Sequence, residues 1–460
     1  MYHIDFNRPI HVHFIGIGGI SMSGLAEILL ERGFQVSGSD ANKSALTEKL
    51  EANGAVIMYG QKAENITDDI DAVVYTAAIH PDNPEYKAVV EKKIPMLTRA
   101  ELLGQIMKNF STAVAVSGTH GKTTTTSMLS EILMSAGKDP TISVGGMLDS
   151  IGGNIRVGGH DVFVTEACEY TNSFLSFFPT ISLILNIEAD HLDFFKDLDD
   201  IRHSFRRFAE LIPENGTLII NSDIDRYEEI SGGLPCKVIT VGKEKDRSRY
   251  CAENISYDNS ACASYDLLVD GEVKERITLH VPGEHNVYNS LAAVAASVEM
   301  GVTYEEIRKG FEQFGGIHRR FEKKGEIGGV TIIDDYAHHP QEIAATLTTA
   351  AKYPHHEIWC VFQPHTYTRT KALMDEFAES LSLADHVVLA DIFAAREQNT
   401  LGVSSGDLAD RIRKRGTDVH YLRSFDAIET FLLEKCINGD LLITMGAGDI
   451  VKVGENLLGK

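Results

Sequence analysis

One short loop limits the folds open to this chain more than any other feature. The apolar run 113–116 indicates a buried strand, and the glycine-containing loop 118–123 separates it from a helical window that extends to about residue 136. A strand that passes through such a loop directly into a helix is typical of α/β domains with a parallel sheet. The chain is therefore predicted to contain an α/β domain whose loop lies at the carboxyl edge of the sheet, where ligands bind.

The residues of this loop suit phosphate groups. Backbone N–H groups at a helix N-terminus can point at phosphate oxygens, and here they belong to Gly118, Thr119, His120 and Gly121. Lys122 is placed to contact terminal phosphates, and the Thr123 hydroxyl is placed to bind Mg²⁺. The usual phosphate-loop pattern has glycine where this chain has Val116, so a turn that serves only packing is the alternative. The lysine and the following threonines, Thr124 included, favour phosphate binding.

Length and charge bound the remaining possibilities. The 460 residues allow about three domains at roughly 150 residues each. With 43 Lys and Arg against 66 Asp and Glu, the net charge of −23 disfavours nucleic acid and anionic membranes as partners. The sequence has no apolar run of the roughly 18 residues needed for membrane insertion, and its first residues lack a signal-peptide layout. The six cysteines have no paired spacing, so we expect a cytoplasmic protein; a homo-oligomer is compatible with the sequence.

Strand-like runs alternate with helical windows along the chain, without a repeat or a long linker. The pattern predicts three consecutive α/β domains covering residues 1–103, 104–316 and 317–460, the last boundary being marked by two adjacent glycines. The first begins with a strand at 11–15, followed by a second glycine loop that contains Gly16, Gly18 and Gly19.

This second glycine loop matches the start of a dinucleotide-binding fingerprint. Ser21 replaces the third glycine of that pattern, and Asp40 follows about 20 residues after the loop. The loop can hold the pyrophosphate of a nucleotide sugar, with Asp40 near its hydroxyl groups. A tight turn that serves packing is the alternative.

Polar residues follow several other predicted strands. Glu166 and His191 come after strands near the phosphate loop, where carboxylate and imidazole groups can bind metal ions, although either residue can also be an ordinary surface or core residue. Two strings, DDYAHHP at 334–340 and QPHTYTR at 363–369, each follow a strand of the last domain. Such clusters favour ligand contact, and a helix cap with a solvated loop is the alternative.

Together these motifs resemble those of the Mur ligase family. The matching strings stand in the family's order between residues 16 and 370: GIGGISMSGLA, SGTHGKTTTT, NIEADH, GEHNVYNSLAA, DDYAHHP and FQPHTYTRT. The resemblance implies a Rossmann-like domain for a UDP sugar, a P-loop ATPase-like α/β domain for ATP, and a Rossmann-like α/β domain for the amino acid that closes over ATP. It also implies an ATP-dependent ligase that forms an acyl phosphate and lets an amine displace the phosphate.

The resemblance is greatest to the branch of the family that adds L-alanine to UDP-N-acetylmuramate. It implies two Mg²⁺ ions, with Thr123 and Glu166 as ligands beside the phosphates and His191 at the second ion. The residues implied to contact ATP are the loop 118–124 together with Asn286, Asn289, Arg320 and Asp334. The residues implied to contact the UDP sugar are Gly16, Gly18, Gly19, Asp40 and His80.

The resemblance assigns the amino acid to the last domain. The residues that match the neighbourhood of the alanine are Tyr336, His338, His365 and Arg369, and a guanidinium such as Arg369 suits the amino acid's carboxylate. The residues expected to be catalytic are Lys122, Glu166, His191, His338 and Arg369.

Three departures from the family pattern bear on these expectations. Thr366 stands where many alanine-adding relatives have arginine, so the carboxylate contact is expected to be weaker or built differently. Ser21 puts the backbone geometry of the first loop in question. Sister ligases use a modified lysine near the metals, and the absence of one around Phe205 supports the alanine-adding branch.

Three other functions are compatible with parts of the sequence. A sister ligase would attach a peptide or another amino acid to the same sugar. A nicotinamide-dependent dehydrogenase would account for the first glycine loop and Asp40 but for neither Lys122 nor the DDYAHHP string. A nucleotide sensor without activity would use the same scaffold, but the complete set of expected catalytic residues does not favour it.

Overall fold

The structure, a computed structural model of the chain, describes residues 2–76, 79–191, 194–395 and 397–460. The chain divides into one unit of Met1–Cys251, Leu268–Glu272 and Asn289–Gly310, and a second of Ala252–Leu267, Val273–Tyr288 and Phe311–Lys460. Most of the first two predicted domains therefore lies in one compact unit. A boundary at residue 103 would fall inside the helix Arg99–Met107, and the exact domain boundaries stay predictions. Among the described residues, no helix combines the length and apolar character that crossing a bilayer requires.

A parallel five-stranded sheet forms the start of the first unit, in the order β3-β2-β1-β4-β5. Its strands are β1 (His11–Ile15), β2 (Gln35–Asp40), β3 (Val56–Tyr59), β4 (Ala72–Tyr75) and β5 (Met96–Thr98). Its helices are α1 (Ile20–Glu31), α2 (Ala45–Ala52), α3 (Pro84–Lys92) and α4 (Arg99–Met107). Every residue of β1 is buried, as expected for a parallel strand covered on both faces. The strand order reverses between β1 and β4, which confirms the Rossmann-like expectation.

Seven further strands of the first unit lie in the order β12-β11-β10-β6-β9-β7-β8. They are β6 (Thr112–Ser117), β7 (Thr141–Leu148), β8 (Gly153–Arg156), β9 (Val162–Ala167), β10 (Ile181–Ile184), β11 (Thr217–Asn221) and β12 (Lys237–Val241). The helices between them are α5 (Lys122–Ser135), α6 (Leu198–Ala209) and α7 (Tyr227–Ser231). All neighbours are parallel except β7 and β8, so the predicted P-loop-type α/β architecture is confirmed.

Three adjacent strands follow in the order β15-β14-β13, and two helices come after them. These elements are β13 (Tyr250–Tyr257), β14 (Cys262–Val269), β15 (Glu272–Pro282), α8 (His285–Glu299) and α9 (Tyr304–Gln313). Short 3₁₀ helices elsewhere in the chain cover Ala63–Asn65, Asp149–Ile151 and Tyr170–Ser176.

The second unit contains a six-stranded sheet in the order β16-β17-β21-β18-β19-β20, parallel except for the hairpin of β16 and β17. Its strands are β16 (Glu322–Ile327), β17 (Val330–Asp335), β18 (Ile358–Phe362), β19 (His386–Leu389), β20 (Asp418–Tyr421) and β21 (Leu441–Met445). Its helices are α10 (Pro340–Ala350), α11 (Tyr367–Ala372), α12 (Met374–Leu381), α13 (Ser405–Lys414), α14 (Phe425–Lys435) and α15 (Val451–Leu457). Cys360 and Phe362 belong to one apolar cluster and Trp359 and Val361 to another, so β18 is packed on both faces.

Helix α4 makes an unusually close contact with the segment that follows β9. A Cβ atom on Gly104 would lie 1.9 Å from the carbonyl oxygen of Ser176 and 3.3 Å from the Cα of Phe177. No side chain fits into that space, so glycine allows the helix backbone to approach this segment directly. The contact fixes where Arg99, the first residue of α4, is placed.

We expect Gly104→Ala to destabilise the protein by about 1–3 kcal/mol or more, because the added methyl group must push two backbones apart. Urea unfolding of the full chain measures the loss. Gly153→Ala is the matched control, since a Cβ there meets nothing within 4 Å, and its midpoint should equal that of the wild type. Equal midpoints for both variants would contradict the packing argument.

A row of polar groups, exposed at Asp69 and buried at the other three residues, crosses the amino end of the first sheet. Asp69 Oδ2 lies 3.0 Å from His11 Nδ1, His11 Nε2 lies 2.7 Å from Ser37 Oγ, and that hydroxyl lies 2.9 Å from His13 Nδ1. His13 is completely buried. Burial, with a smaller contribution from the charge of His11, lowers the pKa of His13 to about 4.

This lowered pKa predicts a loss of stability in mild acid. Between the ordinary pKa of 6.5 and the folded-state value of about 4, the unfolded chain binds a proton at His13 that the folded chain does not. The contribution of neutral His13 to the free energy of unfolding is therefore full above pH 6.5. It is lost as the pH falls to about 4, by up to about 3 kcal/mol. Urea unfolding between pH values of about 7 and 4.5 should give a shallower pH dependence for His13→Gln than for the wild type. His3→Gln, at an exposed position, is the control that should leave the slope unchanged.

Candidate functional site

The loop between β6 and α5 has a backbone that only glycine adopts easily. Gly118 has φ +146° and Gly121 has φ +82°, and Gly121 is the N-cap residue of α5. A Cβ on Gly121 would lie 2.4 Å from the side-chain oxygen of Asn289, so this predicted ATP residue lies against the loop. The predicted strand, glycine loop and helix are therefore present, with Thr123 buried and Thr124 partly exposed in the first turn of the helix, and phosphate binding by the loop stays a prediction.

Asn186 holds this loop in place, a role that the sequence reasoning missed. Its backbone oxygen accepts a bond from the Thr119 N–H (3.2 Å). Its side chain accepts from the His120 N–H (2.7 Å) and donates to the His120 carbonyl (3.0 Å). The Glu188 N–H donates to the Thr119 hydroxyl (3.0 Å), so the NIEADH string both follows β10 and supports the loop.

Lys122 folds back over its own loop. Its Nζ donates to the carbonyl oxygens of Gly118 (2.5 Å) and Thr119 (3.1 Å) and forms an ion pair with Glu169 Oε2 at 3.1 Å. Burial by itself would lower the pKa of Lys122, but nearby negative charges, that of Glu169 above all, raise it beyond its ordinary value. Lys122 is therefore a fixed positive charge at the loop.

The three residues predicted to bind metal lie at or beyond the carboxyl ends of neighbouring strands, with Glu166 as the next-to-last residue of β9. Strand β6 leads to Thr123, with β9 and Glu166 on one side and β10 and the segment containing His191 on the other. The Glu166 carboxylate accepts a bond from the Gly145 N–H (2.5 Å). His191 has φ +53° and stacks on the Tyr170 ring at 4.5 Å. A hydroxyl and a carboxylate are oxygen ligands that fit Mg²⁺, and an imidazole can bind a second divalent ion.

Arg99 is a second residue that the sequence reasoning missed. It is the first residue of α4 and lies between Thr98 and Glu101, which form the capping box of the helix. Burial lowers the pKa of its guanidinium, while the charges of Cys168 and Glu166 oppose that shift. A cation from the first sheet therefore acts on the same carboxylate that was predicted to bind metal.

The first glycine loop is held by Asp40. The Gly18 N–H donates to Asp40 Oδ2 (2.9 Å), and a Cβ on Gly18 would lie 2.8 Å from that oxygen. Gly16 has φ +85°, and Gly19 is the N-cap residue of α1. The carboxylate thus supports the loop backbone, and its predicted contact with sugar hydroxyls stays a prediction.

The other residues predicted near this loop have ordinary positions. Ser21 is exposed in the first turn of α1, so its departure from the family pattern leaves the helix start regular. His80 is exposed and its carbonyl accepts a bond from the Asn83 N–H (3.0 Å) before α3. Asn286 donates from its side chain to the Pro282 carbonyl (2.8 Å) at the start of α8.

Arg319 forms an ion pair with the buried carboxylate of Asp334 in the second unit. Arg319 Nε donates to Asp334 Oδ2 (2.9 Å), and its two terminal nitrogens donate to the carbonyls of Gly446 (2.7 Å) and Gly448 (3.0 Å). Asp334 is completely buried and also accepts from the Thr444 hydroxyl (2.7 Å). Asp334 therefore supports Arg319 and the ends of β17 and β21 in this arrangement, and its predicted contact with ATP stays a prediction. Sequence reasoning missed Arg319.

The predicted amino-acid residues gather at the carboxyl edge of the same sheet. The guanidinium of Arg320 lies 5.4 Å from the Tyr336 ring centre, and the His338 ring lies 5.5 Å from Tyr336 and 6.0 Å from His365. Burial lowers the pKa of His338, Glu342 opposes this, and the charge of Arg369 on α11 adds to it. The imidazole of His338 is therefore neutral near pH 7 and can accept a proton.

The string after β18 has a strained residue at Thr366, one of the three departures noted in the sequence. Thr366 has φ +65°, and its N–H donates to the Phe393 carbonyl (2.9 Å). His365 beside it stacks on the Phe393 ring at 5.7 Å. These contacts hold the strand-to-helix turn that carries Arg369.

Family models match three consecutive parts of the chain. They are described as the Mur ligase family catalytic domain (residues 11–111), the Mur ligase middle domain (116–297) and the Mur ligase glutamate ligase domain (319–448). The chain belongs to the Mur ligase family. This confirms the resemblance found in the sequence and leaves the dehydrogenase hypothesis without support.

Comparison with individual proteins and solved structures shows which members of the family this chain is similar to. Proteins named UDP-N-acetylmuramate–L-alanine ligase from Lachnospira eligens and Agathobacter rectalis are 63% and 61% identical over 458 and 460 residues, covering all of each chain. The crystal structure of UDP-N-acetylmuramate-alanine ligase MurC from Thermotoga maritima matches with a TM-score of 0.80, 28% identity and 98% coverage of both chains. A murein peptide ligase from Psychrobacter arcticus matches with a TM-score of 0.70, 26% identity and the same coverage.

We expect Gly121→Ala to weaken the binding of Mg·ADP at least tenfold, because the methyl group strains the backbone and displaces Asn289 from the loop. Titration calorimetry measures the affinity. Gly137→Ala at the other end of α5 is the matched control, with φ +69° but nothing within 4 Å of the added Cβ, and it should bind Mg·ADP as the wild type does. Equal weakening in both variants would show that backbone strain alone is responsible.

Proposed function

We propose that this protein joins L-alanine to UDP-N-acetylmuramate in an ATP-dependent reaction that forms an amide bond. The observation that carries the proposal is the identity above 60% along the whole chain with two proteins named for this reaction. The peptide-adding alternative has weaker support, because the murein peptide ligase is less similar in both sequence and structure.

The reaction begins with transfer of the γ-phosphoryl group of ATP to the sugar's carboxylate, which leaves ADP and an acyl phosphate. Such transfer requires positioning and charge neutralisation. The N–H groups of the loop and the fixed charge of Lys122 perform these tasks for the phosphates. Mg²⁺, for which we propose two ions held by Thr123, Glu166 and His191, supplies further neutralisation when bound.

The amine of alanine then attacks the acyl carbon and displaces phosphate, forming the amide bond. The attacking amine must lose a proton, and the neutral imidazole of His338 is suited to accept it. Arg369 is the residue we propose for the carboxylate of alanine, and Tyr336 and His365 line its surroundings. We assign the UDP sugar to the first glycine loop and propose that Asp334 acts through Arg319, with Arg320 as the cation that contacts ATP.

We also propose a cytoplasmic location, since the six cysteines, all within the described residues, are thiols that suit a reducing compartment. Small anionic substrates are compatible with the net charge of −23, because Lys122, Arg320 and Arg369 provide positive charge at the proposed sites.

Phosphate release with each substrate omitted in turn tests the function. We expect release to require ATP, UDP-N-acetylmuramate and L-alanine together, and glycine, serine or a tripeptide to replace alanine poorly. Release that does not depend on the UDP sugar would contradict the proposal, and faster reaction with the tripeptide would favour the sister ligase.

Lys122→Ala should lower the rate by on the order of 10²–10³ or more, because a preorganised charge at the phosphates is lost. Steady-state phosphate release measures the change. Lys138→Ala, an exposed lysine beyond the end of α5, is the control that should keep the wild-type rate. Retained turnover in Lys122→Ala would disprove the role given to this lysine.

A further inference from the structure

Glu169 is a buried carboxylate that neither the family motifs nor the proposed mechanism uses. It follows β9 and directly precedes the 3₁₀ helix Tyr170–Ser176, and only 2% of its surface is exposed. Its two carboxylate oxygens lie 3.1 and 3.5 Å from Lys122 Nζ. The same ammonium is held on its other side by the Gly118 and Thr119 carbonyls. Lys122 is thus fixed between its own loop and Glu169.

The position of Glu169 is itself held by the turn that follows it. Thr171 and Asn172 both have positive φ, and the Asn172 N–H donates to the Glu169 carbonyl (2.9 Å). Asn172 also accepts a bond from the Ser204 hydroxyl on α6. Phe174 packs on the Phe208 ring of the same helix, with the ring centres 4.6 Å apart. These hydrogen bonds and ring contacts hold the strained turn, and with it the Glu169 carboxylate, in one position. Strained backbone of this kind is common at functional sites.

We propose that Glu169 is a positioning residue that holds the Lys122 ammonium against the phosphate loop in the orientation needed for phosphoryl transfer. The inference rests on the proposed function, since it assigns a role within that reaction. A contribution to stability alone is a poor account of the pair, because burying two charges costs about as much as their attraction returns.

The charge of Glu169 makes a specific kinetic prediction. Its carboxylate repels the phosphates that Lys122 attracts, so removing the charge should not weaken the ground-state binding of ATP. The ammonium, then held mainly by the Gly118 and Thr119 carbonyls, would take more orientations, and only some of them support transfer. We therefore expect a lower kcat without a higher KM for ATP, the pattern of an interaction that matters in the transition state.

The experiment compares Glu169→Gln, Glu169→Asp and the control Glu131→Gln, with ATP varied and Mg²⁺, UDP-N-acetylmuramate and L-alanine saturating. Glu131 is also a buried carboxylate, at 6% exposure, but it lies further along α5. We expect Glu169→Gln to lower kcat about 10- to 100-fold with KM for ATP unchanged or lower. Glu169→Asp, which keeps the charge, should recover part of the loss, and Glu131→Gln should match the wild type.

A higher KM for ATP with unchanged kcat in Glu169→Gln would overturn the inference, as would an aspartate variant no better than glutamine. Mg·ADP affinity, measured by calorimetry, provides a readout that does not need alanine ligation. Glu169→Gln should bind Mg·ADP at least as tightly as the wild type, and Lys122→Ala at least tenfold less tightly. An equal loss of Mg·ADP affinity in Glu169→Gln and Lys122→Ala refutes the positioning role. If Glu169→Gln does not fold, Glu169→Asp takes its place, and a loss of Mg·ADP affinity in that variant refutes the role as well. A wild type that binds Mg·ADP but makes no alanine product refutes only the proposed function.

Discussion

The parallel pairing of β6 with β9 on one side and β10 on the other is the constraint on which the candidate site depends. Parallel strands end at the same edge, so the three segments that follow them are brought together without being close in sequence. One segment is the phosphate loop, the second contributes Glu169 just beyond Glu166 at the end of β9, and the third contributes Asn186. The hydrogen bonds from Asn186 to the loop can form only because this register puts Leu183 opposite Val116.

The sequence predicted those features that depend on local pattern. The strand His11–Ile15 was expected at its exact limits, and the helix after the phosphate loop ends within a residue of its expected end. Lys122 and Thr123 were identified because a strand, a glycine loop and a helix start stand next to one another in the chain. In such places hydrophobic period and turn chemistry point to the same structure.

The residues that the sequence reasoning missed act over long separations. Glu169 lies 47 residues from Lys122, Asn186 lies 66 residues from His120, and Arg319 reaches carbonyls 127 and 129 residues away. Nothing near these residues in the chain indicates their partners. For Asp334, the motif at the end of a strand favoured a ligand contact. The structure shows its carboxylate bonded to Arg319 and Thr444, partners that the motif did not indicate.

Two ion pairs, each with a buried carboxylate, explain how a chain with a net charge of −23 can present cations to anionic nucleotides. Lys122 is held by Glu169, and Arg319 is held by Asp334, so each cation carries its own counter-charge. Such a pair attracts phosphate less than a free cation does, but it keeps the charge in one orientation. Because phosphoryl transfer depends on charges placed where the transition state needs them, the acidic partners belong to the design of the site. The orientation of the Lys122 ammonium at the loop is set by contacts within a few ångströms. The negative charge on the rest of the chain is screened by salt over about 10 Å, so it is compatible with the binding of an anionic nucleotide at the loop.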